Sequence, residues 1–256
     1  MPKVNLKLKV VDNQFLNESH ILIRLTHEQQ LPDIIPGQFV QVKVEGSPTT
    51  FLRRPISVNF VDYERNELWL LVQLRGQGTK ALAKLGDGDE LEVLLPLGNG
   101  FKQQAKTGEK ILLVGGGVGV APILYYGKVL AQQGAKPIFL IGAKNADSLL
   151  ETDLFKKYGT LHLTTEDGSD GVKGFVTDHP VLKQRQYSRI SVCGPTPMMK
   201  AVADFAIKND IECEVSLENI MACGLGACLC CVQKTTRGNI CVCTEGPVFN
   251  AKEVLV

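Results

Sequence analysis

The chain carries almost no net charge. Its 28 Lys and Arg against 27 Asp and Glu leave +1, which gives no support to the basic footprint of a nucleic-acid binder. It also lacks a continuous apolar run long enough for a bilayer. The longest uncharged stretch, ILLVGGGVGVAPILYYG, is broken by GGG and Pro122 and falls short of the ~20 apolar residues a span needs; it reads as a strand, a turn and a helix. The N-terminus MPKVNLKLKV alternates apolar and charged residues and has no core of a signal peptide or anchor. A cytoplasmic protein with no membrane and no nucleic acid as partner is therefore expected. Internal repeats, low-complexity tracts and long linkers are missing as well. What remains is an ordinary composition, 44% hydrophobic and 21% charged over 256 residues, enough for two or three globular domains.

Up to about residue 100 the runs NLKLKVV, HILIRLT, QFVQVKV, RPISVNFV, ELWLLVQL and DELEVLLPL have strand periodicity or β-rich composition. Turn residues such as PG, EGSP and GDGD separate them, which predicts an antiparallel barrel or sandwich. One helix is expected at TKALAKL, with Thr79 as its N-cap. From about residue 107, KILLVGG, KPIFLIGA, TLHLTTE, GVKGFVTD and RISVCGP alternate with helical stretches, the grammar of a parallel sheet with crossover helices. From about Ser216 onward there are too few apolar residues for a separate core, so something covalent or metallic is expected to hold that segment.

In VGGGVGVAP a strand ends in glycines and a helix starts near Pro122. Such a turn lets backbone approach a pyrophosphate at a helix N-terminus, although the spacing is not a strict GxGxxG and no acid closes the second strand; a tight turn without a ligand fits the letters too. VCGPTPMM repeats the pattern, so a second strand end would present backbone and the Cys193 thiol at the same sheet edge, unless Cys193 is simply a small buried side chain. In FLRRPISV a strand face with Arg and Ser three residues apart could hold a phosphate and a polar ring edge; a surface arginine pair is the competing reading. Gly78 and Thr79 in GQGTK suit a diphosphate seat or an ordinary helix cap.

The strongest signal is the cysteines, six of eight between Cys223 and Cys243. Reduced cytosolic thiols in a cluster point to metal or redox chemistry before disulfides. Cys223, Cys228 and Cys231 stand in C-x4-C-x2-C, the plant-type [2Fe-2S] spacing, with Gly224 and Gly226 able to turn backbone N–H groups toward sulfur. Zinc on Cys228, Cys231, Cys241 and Cys243 is possible, but strands Cys223 and leaves the glycines unexplained. Cys241 and Cys243 are two apart, so in a strand they would share a side and periodicity does not choose the fourth ligand.

Together RPIS at 54–57, GT at 78–79, GGGVGVAP, CGPTPMM and the cysteine loop resemble the ferredoxin reductase superfamily over essentially the whole chain. Domain order and the CxxGPVF ending resemble the electron-transfer subunits of class 1B dihydroorotate dehydrogenases. The resemblance implies an FAD-binding antiparallel β-barrel at 1–102, an NAD-binding α/β domain at 103–215 and a [2Fe-2S] domain at 216–256. It implies Arg54, Pro55, Ile56 and Ser57 along FAD, Arg54 on phosphate and Ser57 near the reactive ring nitrogen. Leu71, Val72 and Gln73 would flank the flavin, and Gly78 and Thr79 would seat its diphosphate. Gly115, Gly116, Gly117 and Gly119 would lie under NAD, with Cys193, Gly194 and Glu218 near the nicotinamide, Glu218 equally readable as a solvated surface acid. Cys243 would be the fourth cluster ligand, leaving Cys230 a bystander between two ligands and Cys241 without an assigned role. Ile56 stands where an aromatic commonly stacks on the ring. NAD is favoured over NADP because GAKNAD offers only Lys144 to a 2′-phosphate. The implied partner is an FMN-containing catalytic subunit that oxidises dihydroorotate, in a heterotetramer serving pyrimidine (UMP) biosynthesis. The alternatives are the reductase subunit of a hydrogenase or glutamate synthase, or a zinc-stabilised nucleotide-binding subunit without redox function.

Overall fold

The structure, a computed structural model, describes residues 2–47 and 49–254. Six strands, β1 (Val4–Asn17), β2 (His20–Thr26), β3 (Phe39–Val42), β4 (Arg54–Asp62), β5 (Glu67–Gln73) and β6 (Glu90–Leu97), close into an antiparallel barrel in the order β1-β2-β5-β4-β3-β6. The six expected strand runs are these six strands. Alternation fixes the faces: Val40, Val42, Val58, Leu70 and Val72 fill the barrel, while Phe39 and Leu71 point out into cores shared with the rest of the molecule.

Helix α1 (Gln77–Leu82) follows β5. Its N-cap is Gly76 rather than Thr79, because the Thr79 hydroxyl reaches back, accepting from the N–H groups of Arg75 and Gly76 and donating to the Gly76 carbonyl.

The second sheet contains β7 (Lys110–Gly116), β8 (Lys136–Ala143), β9 (Thr160–Thr165), β10 (Val172–Lys173), β11 (Arg189–Cys193) and β12 (Glu212–Ser216), with helices α2 (Val120–Gln132), α3 (Thr152–Tyr158) and α4 (Thr196–Lys208) between strands. Its order is β10-β9-β8-β7-β11-β12, all parallel. Both faces are covered, with Leu112 and Val114 in one core and Ile111 and Leu113 in the other. The expected strand GVKGFVTD shrinks to the two residues of β10, because Gly174 turns at φ +117° and Phe175 N–H bonds the Asp178 carboxylate.

The cysteine segment contributes β13 (Val232–Thr235), β14 (Gly238–Cys241), the single-turn α5 (Val242–Glu245) and β15 (Val248–Asn250). It does not stand apart. Strand β15 adds antiparallel to β12 at the edge of the large sheet, and Met221, Cys231, Val242, Cys243 and Phe249 share one apolar core with Phe39 and Leu97 of the barrel. The segment thus finds its missing core in its neighbours. Among the described residues no helix is long and apolar enough to cross a membrane.

Candidate functional site

All eight cysteines are free thiols. Gly224 and Gly226 adopt φ +70° and +82°, and the loop turns amide hydrogens onto sulfur. Leu225 N–H donates to Cys223 Sγ at 3.3 Å, Gly226 N–H to Cys243 Sγ at 3.1 Å and Cys243 N–H to Cys231 Sγ at 3.4 Å. The Leu225 N–H foremost, with further bonds from Cys228 and Ala227, holds the Cys223 thiol down at about 6, whereas burial pushes Cys243 up to about 12. Cys231 and Cys243 are buried, Cys228 and Cys230 exposed. Among the described residues no three His, Cys, Asp or Glu side chains are gathered as ligands of one ion. Helix α5 begins at Val242, so Cys241 ends a strand while Cys243 lies in a helical turn. Both sulfurs nevertheless face Cys231, and Cys243 is the one whose Sγ accepts a backbone N–H of the glycine loop, that of Gly226. Donors aimed at thiolate sulfur are what an iron–sulfur cluster requires of its surroundings.

The arginine pair at the start of β4, Arg53 just before it and Arg54 its first residue, divides. Arg53 pairs with Glu92, whose carboxyl is held at about 2 by the Asn5 amide first, then by Lys43 and Arg53. Arg54 instead lines a cavity of about 390 Å³ with Thr49, Thr50, Arg75 and the start of α1. At Gly78 a Cβ would stand 3.0 Å from Arg54 Nε and from Thr50 Cγ2, so a side chain here would press on two of the groups that line the cradle. Two guanidinium groups, threonine hydroxyls and bare backbone suit a diphosphate. Thr79 braces the turn through its backbone bonds rather than offering a free hydroxyl. In register, Arg54 and Ile56 oppose Val42 and Val40, whereas Pro55 and Ser57 oppose Gln41 and Phe39. Arg54 and Ser57 thus lie on opposite faces of β4, which corrects the expectation of one face carrying both. Leu71 and Val72 are buried, and Gln73 accepts a hydrogen bond from Arg75. Arg75 and Thr50 escaped the sequence reading; the signal for Arg75 was its place directly before GQGTK.

At the carboxyl edge of the second sheet, Gly115 and Gly116 end β7, and Gly117 to Gly119 form a 3-10 turn into α2. A Cβ on Gly119 would lie 2.6 Å from backbone atoms of Cys193 and Gly194, and one on Gly116 2.7 Å from Met198 Sδ. The two glycine motifs are therefore packed against each other, and of 115–119 only Gly117 is exposed. Cys193 is 0% exposed, and burial, then the charge of Glu218, pushes its thiol well up. It offers backbone, not sulfur, to this edge. Glu218 is exposed at the surface; the protein packed around it raises its carboxyl, and the Arg75 guanidinium opposes that rise. Glu218 is thus near enough to feel both the strand end at Cys193 and the Arg75 guanidinium of the diphosphate cavity.

Residues 218–255 match a family model described as iron-sulfur cluster binding domain of dihydroorotate dehydrogenase B, and residues 113–204 match an oxidoreductase NAD-binding domain. The dihydroorotate dehydrogenase B (NAD(+)) electron transfer subunit of Shouchella clausii is 42% identical over 86% of each chain, and that of Caldanaerobacter subterraneus subsp. tengcongensis 39% identical over 98% of each. Among solved structures, a chain of an NADH-dependent reduced ferredoxin-NADP oxidoreductase superposes with a TM-score of 0.87 at 28% identity, covering 98% of this chain and 90% of that one. The ferredoxin reductase of carbazole 1,9a-dioxygenase shares the fold at TM-score 0.71 and 18% identity, over 82% and 67% of the two chains. With sulfur-directed amides, a two-arginine cradle and a glycine-packed strand edge in one chain that matches these relatives over nearly its whole length, the chain belongs to the electron transfer subunits of dihydroorotate dehydrogenase B.

Proposed function

We propose that this chain carries electrons from a dihydroorotate-oxidising, FMN-containing catalytic subunit to NAD+, using a [2Fe-2S] cluster and FAD, in a cytoplasmic heterotetramer of two copies of each subunit that serves pyrimidine biosynthesis. The single observation that carries it is spatial: the cysteine loop packs directly on the barrel strand beside R-P-I-S, with Gly224 against Gln41 and Gln41 in register with Pro55. When bound, the flavin exchanges single electrons with a cluster and a hydride with a nicotinamide, which is why it must lie between them.

The protein's part is to bind and orient. Cys223, Cys228, Cys231 and Cys243 hold the cluster, and the amides of Leu225, Gly226 and Cys243 stabilise charge on their sulfurs. Arg54 and Arg75 grip the FAD diphosphate over Gly78, Thr79 braces that turn, and Ile56 and Ser57 flank the ring with Leu71, Val72 and Gln73 behind. NAD lies across Gly117 and the strand end at Cys193 and Gly194, with Glu218 near that strand end. Lys144 is the one cation in the run Lys144 to Asp147, a weak grip for a 2′-phosphate. The ligand set is tested by iron content and electron paramagnetic resonance of the purified chain. Cys243→Ser is expected to abolish or radically alter the reduced-cluster signal, and Cys241→Ser to retain it; the reverse result would reject the assignment.

A further inference from the structure

Gln41 is a polar side chain in an apolar strand. Val40 and Val42 on either side of it fill the barrel, so the Gln41 carboxamide points outward on the same face as Phe39. It is 0% exposed, and neither its Oε1 nor its Nε2 has a hydrogen-bond partner. A dry carboxamide with both ends unpaired loses its hydration with nothing in return, and buried polar groups are seldom left so. Its surroundings indicate what pairs it. Across the sheet it stands opposite Pro55, and Ser57 follows on the same face opposite Phe39. On its outer side a Cβ built on Gly224 would fall 2.8 Å from Gln41 Cγ and 3.0 Å from Nε2, and Gly224 adjoins Cys223 in the loop. The amide therefore occupies the contact between the strand assigned to the flavin and the loop assigned to the cluster.

We infer that Gln41 is a positioning residue whose Nε2–H donates to a sulfur of the cluster at the Cys223 side of the loop and thereby sets the cluster's reduction equilibrium. This rests on the reading that the cysteines hold a [2Fe-2S] cluster. Reduction by one electron adds one negative charge to the cluster, and a fixed donor stabilises the more negative form, one of the levers by which proteins tune such centres. Gly224 is glycine for two reasons at once, its positive φ and the room it leaves for the amide.

The test uses the purified chain with both cofactors bound, labelled with a nitrogen isotope in its glutamine amides, and pulsed electron paramagnetic resonance of the reduced cluster. The wild type is expected to show a coupling to amide nitrogen that disappears in Gln41→Leu. In the same variant a redox titration is expected to shift the reduction equilibrium about tenfold toward the oxidised form, ~59 mV for one electron. A cluster-bearing wild type without that coupling, or a Gln41→Leu midpoint equal to wild type, overturns the inference. If Gln41→Leu does not fold, Gln41→Asn withdraws the amide by one methylene and must weaken the coupling; an unchanged coupling overturns the inference equally. A wild type with flavin but no iron–sulfur signal sinks the cluster reading itself, and this inference with it.

Discussion

Glu151 bridges the two large units of the molecule. Its Oε1 accepts a hydrogen bond from Asn59 Nδ2 of β4 at 2.9 Å, while Glu151 Oε2 and Asn59 Oδ1 are buried without partners. Burial raises the Glu151 carboxyl to about 7, the Asn59 bond only partly offsetting it. The sign follows from proton counts. Between the unfolded value of 4.5 and about 7, the folded chain keeps a proton that the unfolded chain has released, so rising pH lowers stability across that window and the loss is complete above it, at most ~3 kcal/mol. Glu151→Gln retains the acceptor for Asn59 without the charge. Its stability advantage over wild type, measured by chemical denaturation, is expected to be smallest below the window and to widen as pH rises through it. A constant difference would show that Glu151 titrates normally.

At the scale of elements, the glycine-rich turn between β7 and α2 does different work at neighbouring positions. Gly119 is held by close packing, its Cβ position 2.6 Å from the β11 backbone, whereas Gly117 meets nothing within 4 Å but turns at φ +56°. Gly117→Ala should cost ~1–2 kcal/mol of backbone strain. Gly119→Ala should cost more, since backbone cannot step aside as a flexible side chain does, and should also weaken NADH binding by parting β7 from β11; equal losses in denaturation and in a binding titration would refute the distinction. The elements themselves were largely legible. HILIRLT and ELWLLVQL became barrel strands with Ile21, Ile23, Leu68 and Leu70 inside the barrel and Leu22 and Leu71 in the core outside it, and KILLVGG and KPIFLIGA became central strands of the parallel sheet. C-x4-C-x2-C was legible too, being local. Illegible were features made by distant contacts: the Asn59–Glu151 pair, the Arg53–Glu92 pairing that separates the two arginines, and the docking of β15 on β12. Cys241 and Cys243 were indistinguishable because the strand-to-helix change falls between them, and the lone Gln in FVQV gave no sign of the loop that covers it.

At the scale of the whole molecule, the cysteine nest opens onto an apolar surface. Ile220 is 84% and Leu229 64% exposed, with Leu225 and Val232 also exposed beside the outward-facing Cys228 and Cys230. Exposed apolar residues grouped in this way mark an interaction surface, and a cluster that receives electrons from a partner needs that partner close. Ile220→Asp is expected to raise the catalytic-subunit concentration needed for half-maximal turnover by ~10-fold, about 1.4 kcal/mol of association, with flavin and iron–sulfur spectra unchanged; unchanged turnover would move the interface elsewhere. In the proposed role electrons enter at the cysteine loop and leave at the nucleotide edge. Its most direct test is to mix the purified chain with a dihydroorotate-oxidising FMN subunit, supply dihydroorotate and NAD+, and measure orotate and NADH together. Equal amounts of both, formed only when the two proteins are present and lost in Cys243→Ser, are predicted; orotate formed by this chain alone, or no NADH from the mixture, would contradict it.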